Sequence, residues 1–192
     1  PNQFCNLTEV MVRSTDTLKE LKSKVRLATI LGTYQSTLTD FKYLRKRWQM
    51  NTEEERLLGV SLTGIMDSLL TNGKAYKDVE DGLKDTLTSL KNIAIETNKE
   101  FAKKLDINVS AAITCVKPSG TVSQLTDTAS GIHARHSEYY MRRVRGDMKD
   151  KLTQFLRDSG VSFEHAINGF EDAEQKKPIY NDNMGVFSFP IK

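Results

Sequence analysis

The stretch Ala111-Ala-Ile-Thr-Cys-Val-Lys-Pro-Ser-Gly-Thr-Val-Ser-Gln-Leu125 decides how the rest of the 192 residues is read. Its first half, Ala111 to Val116, is an apolar run with two β-branched residues and one threonine, which suits a strand covered on both faces, as parallel strands in α/β proteins are. The pattern then breaks. Pro118 removes a ladder donor and biases Lys117 toward extended geometry, and Gly120 permits backbone angles closed to other residues. Ser119, Thr121 and Ser123 flank that glycine, so a compact turn here would present several main-chain N–H groups and hydroxyls to one point, a cradle for an oxyanion. The loop has neither the lysine before the final Ser/Thr of a Walker A loop nor the three spaced glycines of a dinucleotide fingerprint. Since Ser, Pro, Gly and Thr are also ordinary turn residues, a phosphate cradle and a plain turn both stand on the local sequence.

Upstream, Phe4 to Val12 reads as a strand with Cys5, Leu7 and, less cleanly, Glu9 on one face, and Thr17 with Glu20 fits a capping box that opens a helix with Leu18, Leu21, Val25 and Ala28 on its core face. Thr52 to Glu55 offers a second capping box. Leu57 to Ile65 is either a short strand or a glycine-interrupted turn, with Gly59, Ser61 and Gly64 pointing to close backbone approach. After a polar interval, Thr71 to Asp78, a helix is expected over Val79 to Leu105, with Leu83, Leu87, Leu90, Ala94, Phe101 and Leu105 as a core stripe interrupted by Thr97. Strand, helix, strand in this order favours a parallel connection. Downstream, Tyr139 to Arg145, Val161 to Ile167 and Asn183 to Pro190 read as strands, Met148 to Asp158 as a short helix, and Asn168 to Pro178 as a surface loop.

Length and composition are those of one sizeable α/β piece, residues 1–192, with no separate second domain. Twenty-eight basic against 25 acidic side chains leave a net charge of +3, too little for a nucleic-acid footprint. No run of eighteen apolar residues and no signal-peptide core appears, so a cytoplasmic protein with no membrane partner is expected. Cys5 and Cys115 are too few and too far apart for a secreted disulfide framework and lack metal-ligand spacing, so no metal site is assigned. A start without methionine and a finish inside the alternating Phe187-Ser-Phe-Pro-Ile-Lys192 read as an interior fragment of something longer.

Four blocks carry a resemblance: Phe4-Cys-Asn-Leu-Thr-Glu-Val10, Arg56-Leu-Leu-Gly-Val-Ser-Leu-Thr-Gly-Ile65, Ile113-Thr-Cys-Val-Lys-Pro-Ser-Gly-Thr-Val-Ser-Gln-Leu125, and Ser130-Gly-Ile-His133 with Tyr139-Tyr-Met-Arg-Arg-Val-Arg145. In this order they resemble the adenosylcobalamin-dependent (class II) ribonucleotide reductases, most of all the ribonucleoside-triphosphate reductase branch. The resemblance implies a ten-stranded α/β barrel, of which this chain is part of the second half. It implies an oxidoreductase that makes 2′-deoxyribonucleotides for DNA replication by radical chemistry, with adenosylcobalamin as cofactor. It makes Ser119, Gly120, Thr121 and Ser123 the substrate-phosphate loop, and Cys5 one of two redox-active thiols that become a disulfide. Cys115 is left as a structural residue. Expected partners are the ribonucleotide substrate, a thioredoxin-like reductant, an allosteric deoxynucleotide acting through regions outside these residues, and the rest of the reductase chain. The family's thiyl-radical cysteine lies in an Asn-Pro-Cys-Gly-Glu motif absent here, and neither Asn2 nor Glu9 stands in for it, so the fragment by itself is expected to be inactive. His133, Arg135 and His136 receive no role, and Arg142, Arg143 and Arg145 fit either a nucleotide entrance or a solvated strand face. The alternatives are a class I large-subunit fragment, a non-catalytic nucleotide- or phosphate-binding module, and a structural piece that completes a separately encoded half of the barrel.

Overall fold

The alternating patterns at Phe4 to Val12 and Leu57 to Ile65 form two strands, β1 (Asn6–Met11) and β2 (Leu58–Thr63), in a computed structural model that describes residues 2–171 and 177–191. The strands pair in parallel, from Asn6 opposite Leu58 to Met11 opposite Thr63. A parallel pair needs a long crossover. Here it contains α1 (Leu18–Gln35) and α2 (Lys46–Glu55). α1 starts on the capping box read from the sequence: the Glu20 amide donates to Thr17 Oγ1 at 3.3 Å and the Thr17 amide donates to Glu20 Oε2 at 2.8 Å. Leu21, Val25 and Ala28 of α1 meet Val10, Val12 and Val60 of the strands and Leu90 and Ala94 of α3 (Val79–Leu105) in one buried cluster. Burial of Leu21 and Val25 contributes about 1.5–3 kcal/mol each.

The chain, read from its sequence as one piece, divides into two compact units, Pro1–Arg135 and His136–Lys192. The first holds the parallel pair, the helices α1 to α3 and a short α4 (Gly120–Leu125). The second is a three-stranded antiparallel sheet in the order β3-β5-β4, with β3 (Tyr140–Asp147), β4 (Phe163–Phe170) and β5 (Pro178–Ile191), and one helix, α5 (Lys151–Asp158). Ala166, Val186 and Phe187 are buried in it, with the Phe163 ring 5.3 Å from that of Phe187. The class is mixed α/β, as expected.

Several local expectations change. Ala111 to Val116 is extended and lies parallel beside β2, but only Thr114 makes a ladder bridge, to Val60, and Val116 is 68% exposed. The reason is visible at its end: the Lys117 amide donates to the Ser61 hydroxyl at 3.0 Å, so a side chain interrupts the ladder. Thr52 to Glu55 is the last turn of α2, not the start of a helix. Thr52 is buried and its hydroxyl accepts from the Phe4 amide, while Arg56 turns left-handed (φ 45°) to end the helix. α3 keeps its expected bounds, and Leu90 and Ala94 of the expected stripe are buried, but the rest of the buried face is Thr86, Thr97, Asn98 and Ala102. Leu83 and Leu87 instead line an open apolar cleft with Met66, Val116 and Ile132. The loop expected at Asn168 to Pro178 begins inside β4, and its residues 172–176 lie outside the described residues.

Candidate functional site

Side chains alternate across a strand, so the parallel pair has two faces. Val10 and Val60 look toward α1 and α3. The other face carries Cys5, Leu7 and Glu9 from β1 and its lead-in, opposite Gly59, Ser61 and Thr63 of β2. Beyond β2 the extended run adds Cys115 and Lys117. Cys115 Sγ lies 2.9 Å from where a Cβ on Gly59 would sit, and Cys5 Sγ lies 3.4 Å from the same point. Lys117 Nζ reaches back over β2 to Glu9 Oε2 at 3.2 Å. That pair is shielded, the Glu9 side chain being 5% exposed, and Glu9 Oε1 is buried with no hydrogen-bond partner.

Both cysteines are free thiols open to solvent. Partial burial pushes the Cys5 thiol above its ordinary pKa, and the neighbouring Cys115 adds to the effect. Cys115 is also raised, first by burial; Lys117 pulls it down and Glu9 pushes it up. At neutral pH both are therefore protonated thiols, a state suited to giving up hydrogen and not to nucleophilic attack.

At the C-terminal end of β2 stands the hydroxyl-rich loop. Ser119 adopts a left-handed backbone (φ 53°) and is buried, its hydroxyl donating to Thr63 Oγ1 at 2.7 Å. Ser123 is fully buried, its hydroxyl donating to the Gly120 carbonyl at 2.8 Å. These two hydroxyls hold the loop's shape. Gly120 and Thr121 face outward, and nothing stands within 4 Å of where a Cβ on Gly120 would be. No side chain caps the first turn of α4, so its leading amides are presented uncapped beside the Thr121 hydroxyl.

Thr63 is the residue that sequence reading missed. Its single hydroxyl donates to the Ala129 carbonyl (3.1 Å) and accepts from Ser119 Oγ and from the Gly131 amide (3.2 Å), which uses its whole hydrogen-bonding capacity. Ser130 adds a bond to the Pro118 carbonyl at 2.7 Å. Gly131 has φ +54° and a Cβ there would stand 2.8 Å from the Lys117 carbonyl, so this glycine lets the Ser130–His133 block pass directly under the loop. Asp67, also missed, accepts from the Ala129 amide at 2.7 Å and from Arg135 at 3.1 Å. Arg135 also pairs with Asp127, and these carboxylates, Asp67 foremost, push its pKa further up. Arg135 thus ties the segment together. His136 packs edge-on to Tyr140, and Arg143 on β3 pairs with Glu164.

Of the residues singled out beforehand, Cys5 and the loop Ser119 to Ser123 belong to one face of one sheet. Gly59 beside the thiols and Thr63 beneath the loop are four residues apart on β2, about 13 Å at strand rise.

No profile of a known protein family matches the chain. Curated relatives do. An adenosylcobalamin-dependent ribonucleoside-triphosphate reductase of Lactobacillus gasseri is 28% identical over 211 residues, covering 98% of this chain and 26% of that protein. A protein named as a probable enzyme of the same kind in Dictyostelium discoideum is 27% identical over 185 residues, covering 93% of this chain and 22% of its own length. The chain thus spans about a quarter of the length of these relatives. A crystal structure of a B12-dependent (class II) ribonucleotide reductase matches 100% of this chain and 27% of its own, with a TM-score of 0.72 at 23% identity. The resemblance read from four sequence blocks therefore holds across the whole chain: it is similar in sequence to adenosylcobalamin-dependent ribonucleoside-triphosphate reductases and has the fold of the corresponding part of a class II ribonucleotide reductase.

Proposed function

We propose that this chain is a segment of an adenosylcobalamin-dependent ribonucleotide reductase acting on ribonucleoside triphosphates, and that it supplies the substrate-phosphate loop and one redox thiol of a ten-stranded barrel. In this reading Thr121 and the leading amides of α4 hold phosphate oxygens, Gly120 leaves them room to approach, and Ser119 and Ser123 keep the loop in shape. Cys5, with a second cysteine from outside these residues, gives two hydrogens to the ribose: the 2′ hydroxyl leaves as water, a C–H bond replaces it, and the two thiols become a disulfide. A thioredoxin-like dithiol then restores them. Adenosylcobalamin would supply the homolysis that starts the radical chemistry. The apolar cleft beside Leu83 and Leu87, about 490 Å³, is too small for a corrin with its nucleotide tail, so no residue of this chain is proposed to hold it.

One observation carries the reading. Gly59, beside the Cys5 thiol, and Thr63, beneath the uncapped, hydroxyl-bearing loop, lie on the same sheet face about 13 Å apart along β2, a span that a nucleoside triphosphate can bridge from ribose to terminal phosphate. The test is steady-state kinetics on the reductase chain that contains this segment. Thr121→Ala and Gly120→Val should raise KM for the ribonucleoside triphosphate about 10-fold or more, the worth of one or two charge-assisted hydrogen bonds, with folding unchanged. Cys5→Ser should abolish turnover with dithiol reductants. Unchanged kinetics in all three variants would remove the proposal, and activity without adenosylcobalamin but with a separate radical-bearing subunit would move it to class I.

A further inference from the structure

Two thiols converge on one glycine. The site where Gly59 lacks a Cβ is 2.9 Å from Cys115 Sγ and 3.4 Å from Cys5 Sγ, so the sulfurs stand no further apart than those two distances laid end to end. A side chain at Gly59 would sit between them, and Leu7 Cδ2, 2.4 Å from the same point, closes the third side. A direct disulfide does not suit this arrangement. The segments carrying Cys5 and Cys115 flank β2 two strand spacings apart, and by register Cys5 stands level with Leu57 and Cys115 with Ser61, so their Cα atoms lie beyond the about 7 Å that a disulfide tolerates. A bridging atom does suit it. Two metal–sulfur bonds of about 2.3 Å in a line span about 4.6 Å, within the upper limit that the two Gly59 distances set on the sulfur–sulfur separation. Among the described residues no group of three or more His, Cys, Asp or Glu converges, so the tetrahedral set that zinc prefers is not on offer.

We infer that Cys5 and Cys115 form a bis-thiolate site for a soft, two-coordinate monovalent cation of the Cu(I) kind. Two thiolates with no harder ligand select such an ion. No electron changes hands: each thiol passes its proton to solvent as its sulfur bonds the metal, and the product is a linear S–M–S bridge over Gly59. The site does not rest on the reductase reading, since it needs only the two sulfurs. Where that reading also holds, the bridged form withdraws Cys5 from reduction and the cation inhibits.

The test uses Ag(I), a redox-silent probe of the same coordination, titrated into the reduced full chain without oxygen and followed by native mass spectrometry. One Ag(I) per chain is expected. Cys5→Ser and Cys115→Ser should each weaken binding by about 100-fold, the loss of a second ligand held at high effective concentration. Gly59→Ala should weaken it similarly while both thiols still react with a monofunctional alkylating reagent. Binding in Cys115→Ser within threefold of the parent, or two ions held independently by the parent, overturns the inference. If Gly59→Ala does not fold, as judged by circular dichroism, the two serine variants decide alone.

Discussion

A single hydroxyl, that of Thr63, organises the loop end of the site. It donates once and accepts twice, and its three partners come from residues 56 to 68 positions away in sequence. Thr63→Val keeps the shape and removes all three bonds, leaving the Ser119 hydroxyl and the Gly131 amide to find others, while the Ala129 carbonyl keeps its bond from the Gly64 amide. Each buried polar group left unpaired costs about 1–3 kcal/mol. The variant is therefore expected to lose at least about 2 kcal/mol in urea denaturation and to expose the Gly131 amide to hydrogen exchange. A loss below about 0.5 kcal/mol would mean that these bonds are replaced by water and do not define the loop. Glu9 presents the opposite case. Its Oε1 is buried and unpartnered while Oε2 holds Lys117, so its worth lies in tying the thiol-bearing strand to the residue that enters the loop.

Elements whose signals are local were legible. α3 has the bounds that its periodicity predicts, and α1 begins at the Thr17–Glu20 box because both halves of that device lie within four residues. Elements whose fate depends on distant partners were not. Ala111 to Val116 has a doubly covered strand's composition, but its partners are Leu58 and Val60, more than fifty positions earlier, and the ladder stops where the Lys117 amide turns to the Ser61 hydroxyl. Thr52 to Glu55 has a capping box's letters, but Thr52 serves the Phe4 amide from inside a helix. The same limit applied to the site. The glycine and hydroxyls of the loop were visible, whereas their division into shaping residues (Ser119, Ser123) and outward ones (Gly120, Thr121) depends on Thr63 and on burial. The Thr17–Glu20 device gives a prediction at this scale. Hydrogen bonds from Thr17, its backbone amide first and its hydroxyl second, hold the Glu20 carboxyl below its ordinary pKa. A depressed folded-state value means that the stabilisation is present above the unfolded pKa and is lost as pH falls through the folded one. Thr17→Ala is expected to cost about 1 kcal/mol at neutral pH, the usual worth of an N-cap. It should also flatten part of the acid-side decline, measured as urea midpoints from pH 7 down to pH 3. An acid limb as steep as the parent's would assign that pH dependence elsewhere.

At the scale of the molecule, the first unit presents a parallel sheet that stops short. Parallel sheets are stable when both faces are covered and their edges are paired. Here α1 and α3 cover one face, and the sheet ends at the run Ala111 to Val116. Within that run the Cys115 amide donates inward to the Val60 carbonyl, whereas the amides of Thr114 and Val116 have no acceptor among the described residues. Alternate amides of a strand point to opposite sides, so this is a sheet edge that can take another strand. The barrel proposed above requires such a neighbour, drawn from the roughly three quarters of the relatives' length that this chain does not span. Hydrogen–deuterium exchange read residue by residue tests it. In the 192-residue chain the Thr114 and Val116 amides should exchange within about tenfold of unfolded rates, while the Cys115 amide is protected. In the longer reductase chain all three should be protected, because the added strand accepts from Thr114 and Val116. If these two amides exchange as fast in the longer chain as in the shorter one, no strand joins at this edge and the ten-stranded closure through Ala111 to Val116 is wrong.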